Sequence, residues 1–173
     1  MTAQAGEFLR IGTQEYHMEN ILWLPEDHSR IQVFKPEEGK DNIPEIHVIH
    51  DSNDPINRRK HILYGSTACW RGYIGTWELK NRQLYLVELL SRRYALLDDT
   101  PIFANWYTGR LIMILGEILK KSTFRNQSIY EYTLTIMIER GVQIDEAQLI
   151  DHRSGFHKSR NLSEHELRVG NFT

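Results

Sequence analysis

Eight histidines, one cysteine and a dense block of aromatic residues are the side chains here whose chemistry could go beyond folding. His47 and His50 stand three apart, just ahead of Asp51. On a strand that spacing sends them to opposite faces, and zinc would need two further ligands that no neighbouring pair supplies. His165-Glu166 opens the zinc-protease helix pattern, but Val169 stands where the second histidine belongs. His152 and His157 flank a loop-like Arg153-Ser154-Gly155-Phe156 and read as solvent-exposed imidazoles. Cys69 runs straight into a strand-like segment, where a lone cysteine is better explained as core than as a nucleophile. Glycine-rich phosphate loops, the dinucleotide fingerprint and the nucleophile elbow are absent from the sequence. The expectation is a protein with no metal, no cofactor and no catalytic centre of its own.

The aromatics are the stronger signal. Trp70, Tyr73, Trp77, Tyr85, Phe103, Trp106 and Tyr107 fall in one stretch, and such rings suit pleated, half-buried surfaces. A large aromatic core explains them better than a ligand cage. Asn105-Trp106-Tyr107-Thr108-Gly109 is the segment expected to turn tightly and leave a ring at the surface. Arg71 and Arg110 adjoin the cluster and could stack or pair with carboxylates.

What must position these residues is a single domain of 173 residues, long enough to bury a core without disulfides. A net charge of −2 argues against binding nucleic acid through a basic surface. The longest apolar run, Leu111 to Leu115, is far short of the roughly 20 residues a membrane span needs. No basic, apolar leader precedes Glu7, so the expected address is the cytoplasm. Charge is segregated. Residues 1–57 carry four Lys and Arg against eleven Asp and Glu, while residues 58–125 carry twelve against five. Charges scattered over a solvated surface, self-complementary packing and a patch for a partner are all compatible with that pattern.

The elements read as mainly β, with few short helices: antiparallel hairpins in one domain, though α+β stays open. Residues 1–57 are acidic and, with Pro25, Pro36 and Pro44, suit loops and short edge strands. Residues 62–150 form the β core, and 151–173 a peripheral tail. Tyr73 to Leu79 and Gln83 to Leu89 alternate around Lys80-Asn81-Arg82, which signals a hairpin. Tyr130 to Ile138 is the clearest strand. Glu139-Arg140-Gly141 turns it into Val142-Gln143-Ile144, whose apolar residues again alternate, a second hairpin. Arg110 to Leu115 reads as a central strand, with Gly116 free to bulge. Leu89 to Leu97 could be a short helix or a connection. Ser163 and Glu166 have the spacing of a helix capping box.

Ala68-Cys69-Trp70-Arg71-Gly72-Tyr73-Ile74-Gly75-Thr76-Trp77-Glu78-Leu79, then Leu84-Tyr85-Leu86, Phe103 to Gly109 and Ser128 to Glu131, resemble small cytosolic bacterial immunity proteins of polymorphic or type VI secreted toxins. The resemblance covers roughly residues 62–143 and brings no catalytic residues with it. It implies a rigid β scaffold that binds one cognate toxin, one to one, and occludes its active site, with the toxin a nuclease or an ADP-ribosyltransferase. Under it the partner-binding residues would be the acidic Glu26, Asp27, Glu37, Glu38, Asp41, Glu45, Asp51 and Asp54, with Trp23 as anchor and Trp106 and Arg110 beside it. Two other readings remain. Gly75-Thr76-Trp77 resembles the Gly-x-Trp of small-ligand-binding lipocalin-like barrels, although there the motif opens the first strand. An enzyme assembled from residues distant in sequence is the other.

Overall fold

The alternating runs become the walls of a curled sheet in a computed structural model that describes residues 6–33, 72–91, 94–121, 128–155 and 157–172. The strands are β1 (Phe8–Ile11), β2 (Gln14–His17), β3 (Ile31–Val33), β4 (Tyr73–Lys80), β5 (Gln83–Ser91), β6 (Tyr94–Leu96), β7 (Ile102–Phe103), β8 (Gly109–Lys120), β9 (Ile129–Glu139), β10 (Val142–Gln143), β11 (Ala147–Asp151) and β12 (Lys158–Leu162). One short helix, α1 (Glu164–Val169), follows. The fold is mainly β, with β3 and β6 forming a small second sheet. Cys69, His47 and His50 lie outside the described residues, as do Glu37, Glu38, Asp41, Glu45, Asp51 and Asp54.

Most neighbours are antiparallel hairpins, but β1 pairs with β4 in parallel, Leu9 beside Trp77. The main path runs from β9 through β10, β5, β4 and β1 to β2, while β8 lies along the other side of β9. Just beyond β2 the chain returns to β8. Met18 bridges Met113, the Glu19 amide donates to the Ile112 carbonyl at 2.7 Å, and the Ile112 amide donates to Asn20 Oδ1 at 2.9 Å. Backbone pairing therefore closes into a ring, which satisfies edges that would otherwise stand open. The ring's interior is occupied by side chains. Leu9, Ile11, Trp77, Leu84, Leu86, Leu111, Met113, Leu134 and Ile136 are buried and belong to one cluster.

Turn geometry decides which residues point inward. Asn81 and Arg82 both adopt left-handed conformations, φ 51° and 61°, as a two-residue hairpin turn requires. Arg82 tolerates this position because β10 holds it: the Gln143 amide donates to the Arg82 carbonyl, and the Arg82 guanidinium donates back to the Gln143 carbonyl at 3.1 Å. The β9–β10 turn is built likewise from Arg140 and Gly141, pairing Glu139 with Val142 and Ile138 with Gln143. Ile138 faces inward, so Gln143 does too, at 9% exposure, while Val142 and Ile144 are 39% and 47% exposed. The second hairpin is thus present with its apolar residues turned outward. Register from the tight turn outranks hydropathy over three residues, and the buried Gln143 amide is satisfied by the Asp145 carbonyl at 2.7 Å.

Two other expectations change. The described residues of Leu89 to Leu97 are strand rather than helix up to Leu96: β5 continues to Ser91 opposite Tyr73, and β6 pairs with β3. Cross-strand pairing overrides the helical spacing of the leucines. The tail is not peripheral either, because β12 pairs along β11 and both Leu162 and Leu167 enter the core. Gly116 does bulge β8, at φ 81° with a register shift after Leu115. In α1 the capping box forms as the spacing predicts: Ser163 Oγ accepts from the Glu166 amide, and Glu166 accepts from the Ser163 amide at 2.8 Å. The buried Tyr16 hydroxyl, pushed up to about 12 by burial, donates to the Leu167 carbonyl at 2.6 Å and locks the helix to the sheet.

Arg160, with the Ser163 backbone behind it, holds the Glu166 carboxyl down at about 2. A depressed carboxyl stabilises the fold above its unfolded value near 4.5 and loses that contribution as pH falls towards 2. The protection factor of the Gly170 amide, whose N–H donates to the Glu166 carbonyl, is therefore expected to fall across that window. Glu166→Gln keeps the capping geometry and should flatten this pH dependence.

Candidate functional site

The chain that closes the ring, residues 18–31, also builds the most distinctive surface. Its foundation is Glu7, a carboxylate with 0% exposure. Glu7 Oε2 accepts from the Gly75 amide at 2.6 Å and from the Trp77 indole N–H at 2.9 Å. Those bonds tie β1 to β4 and fix the Trp77 ring. Gly75 is required here, since a Cβ would overlap the Glu7 carboxylate and stand 2.7 Å from Trp77 Nε1.

On the fixed Trp77 ring sits Trp106, centroids 6.2 Å apart. The turn at Asn105 and Trp106, closed by the Tyr107 amide donating to the Ala104 carbonyl, places it there. Its indole N–H donates to the Trp23 carbonyl at 2.9 Å, and the Tyr73 hydroxyl donates to the Leu22 carbonyl at 3.0 Å. Two successive carbonyls are thus held by aromatic donors, one from the 105–106 turn and one from β4. Leu22 is buried and Trp23 is 50% exposed, its ring 4.7 Å from the Tyr107 ring. Tyr107 is buried, which raises its hydroxyl above the ordinary value, and it donates to the Arg110 carbonyl at 3.0 Å. Asn20 Nδ2 donates to the same carbonyl at 2.6 Å. His28 packs edge-on against Trp106. Further along, Arg30 Nη2 donates to Asp98 and to the Thr100 carbonyl, both at 2.6 Å, pinning the far end of the segment.

Of the expected partner-binding residues, Trp23, Trp106 and Arg110 converge around Tyr107, although Arg110 contributes its carbonyl here and its guanidinium lies on the outer face of β8. Glu26 and Asp27 are exposed in the same segment, three and four residues past Trp23. The remaining six acids lie outside the described residues. Sequence reasoning missed Glu7, Asn20 and His28. Nothing in the local pattern marks Glu7 as buried. Asn20 had only its place beside an apolar run to recommend it.

His152 and His157, expected as separate exposed imidazoles, face each other with Nδ1 atoms 2.8 Å apart, and His152 Nε2 lies 2.9 Å from Thr133 Oγ1. The adjoining Asp151 carboxyl is held down at about 2 by Arg153. Two nitrogens fall short of a zinc ligand set, and among the described residues no group of three His, Cys, Asp or Glu is placed to hold a metal. No described helix is long and apolar enough to cross a membrane. No family model, curated protein or solved structure matches the chain.

Gly75→Ala tests the foundation. Both neighbours of the new methyl are buried, so the substitution is expected to cost about 3 kcal/mol, combining overpacking with a weakened hydrogen bond to a buried charge. A shift in the urea unfolding midpoint measures it.

Proposed function

We propose that this chain is a binding protein that acts by occlusion: an immunity protein that covers the active site of a cognate antibacterial toxin in the cytoplasm, one to one, with no chemical step of its own. The observation that carries this reading is Trp23, half exposed yet immobilised by Trp106 through its carbonyl and by Tyr107 through its ring. Exposed aromatics are usually free to reorient, and a partner must then order them at about 0.5–1.5 kcal/mol per side chain. Here folding has already done so. A half-exposed indole leaves roughly 100 Å2 to bury, about 2.5 kcal/mol, which suits an interface anchor.

Glu26 and Asp27 sit beside that anchor as rim charges. They suit a toxin whose cleft is basic because it holds nucleic acid or NAD, which favours a nuclease or an ADP-ribosyltransferase. Opposite charge at a rim raises the association rate more than it slows dissociation. In this reading Glu37, Glu38, Asp41, Glu45, Asp51 and Asp54 extend the same acidic field.

Co-expression with the product of the adjacent gene tests the proposal. The neighbour is expected to be toxic alone and harmless in company, through a stable complex of nanomolar affinity or better, about 12 kcal/mol. Trp23→Ala is expected to weaken that complex at least about 30-fold, as loss of a central aromatic does. Reversing Glu26 and Asp27 to lysine is expected to slow association and reduce its salt dependence. Absence of both complex and relief would overturn the proposal.

A further inference from the structure

On the opposite side of β8 from the core, the sheet face formed with β9, β11 and β12 presents an open groove of about 620 Å3. Strand register gives its floor an order. Arg110 on β8 lies beside Met137 on β9; across β9 the Ile144 amide donates to the Met137 carbonyl at 3.1 Å, and Asp145 and Glu146, between Ile144 and β11, line the groove on that far side. Two rows along, Ile114, Thr133 and Ile150 lie side by side in the same sense. A cation thus stands on one flank of β9 and an anion on the other, with Asp145 next to it, and an isoleucine occupies each flank two rows on. Among the described residues, none of Arg110, Asp145 and Glu146 has a side-chain ion pair, whereas Arg10, Arg30, Arg153 and Arg160 all do.

We propose that this face joins two copies of the chain, independently of any toxin. A two-fold axis running along β9 exchanges its flanks. It sets Arg110 of each copy against Glu146 of the other, Ile114 against Ile150 of the other, and Met137 against itself. An isologous interface needs such self-complementarity, and few arrangements of charge meet it. An unrelated partner would need the opposite pattern on its own surface; a second copy brings it. Opposed sheet faces pack at about 10 Å with their side chains interleaved, which fills a groove of this kind.

Sedimentation of the full chain tests the proposal. The wild type is expected to sediment at twice the 20.4 kDa chain mass. Arg110→Glu alone and Glu146→Arg alone each place like charges across the axis, and each is expected to weaken the dimer at least about tenfold. The two reversals combined restore the attraction with its sign exchanged, so the double variant is expected to dimerise again. Both positions are exposed, and an unchanged far-ultraviolet spectrum in each single variant separates lost association from lost folding. A monomeric wild type, or single variants as dimeric as the wild type, would overturn the assignment. A double variant that stays monomeric while well folded would overturn it as well.

Discussion

A carboxylate without contact with water is the constraint on which this structure rests. Taking a Glu side chain out of water costs free energy unless its oxygens find well-placed donors. Glu7 has such donors in the Gly75 amide and the Trp77 indole. Both lie on β4, so β1 is drawn alongside β4 in the one parallel pairing among the described residues. The same contact excludes any side chain at Gly75 and sets the ring on which Trp106 rests. Through Trp106 the effect reaches Trp23, so a half-exposed ring is oriented from a fully buried carboxyl.

The segment between β2 and β3 has two duties. At its start, Met18, Glu19 and Asn20 complete the backbone ring at β8. A few residues later it displays Trp23, with Glu26 and Asp27 beyond. Closure and display are mechanically coupled, because Asn20 and Tyr107 share the Arg110 carbonyl and Tyr107 also supports the Trp23 ring. Elsewhere in the ring, turns do the positioning: Arg82 and Gly141 hold β10 in the register that takes Gln143 inside.

Much of the fold was legible in the sequence, for physical reasons. Strict alternation from Tyr130 to Ile138 and around Asn81-Arg82 leaves little choice of face, and Ser163 with Glu166 states a helix start in two side chains. Val142-Gln143-Ile144 is too short for hydropathy to win against a two-residue turn. Leu89 to Leu97 has apolar spacing compatible with either period, and only its partners on β4 and β3 decide it. The parallel β1–β4 pairing was illegible, since it depends on a hydrogen-bonded charge and not on any pattern. Trp23 and Trp106 could be named as surface aromatics. Their mutual hydrogen bond could not, because it needs the ring to close first.

That closure has a kinetic side. Hairpins such as β4–β5 and β8–β9 join neighbours in the chain and form from local encounters, on a microsecond scale for simple hairpins. The Glu7–Gly75 contact spans 68 residues, and the return to β8 spans more. Loop entropy must be lost before either contact gives anything back. Chain entropy thus favours a late docking of the amino-terminal ribbon, and before it docks β4 and β8 each have an edge open to pairing with strangers.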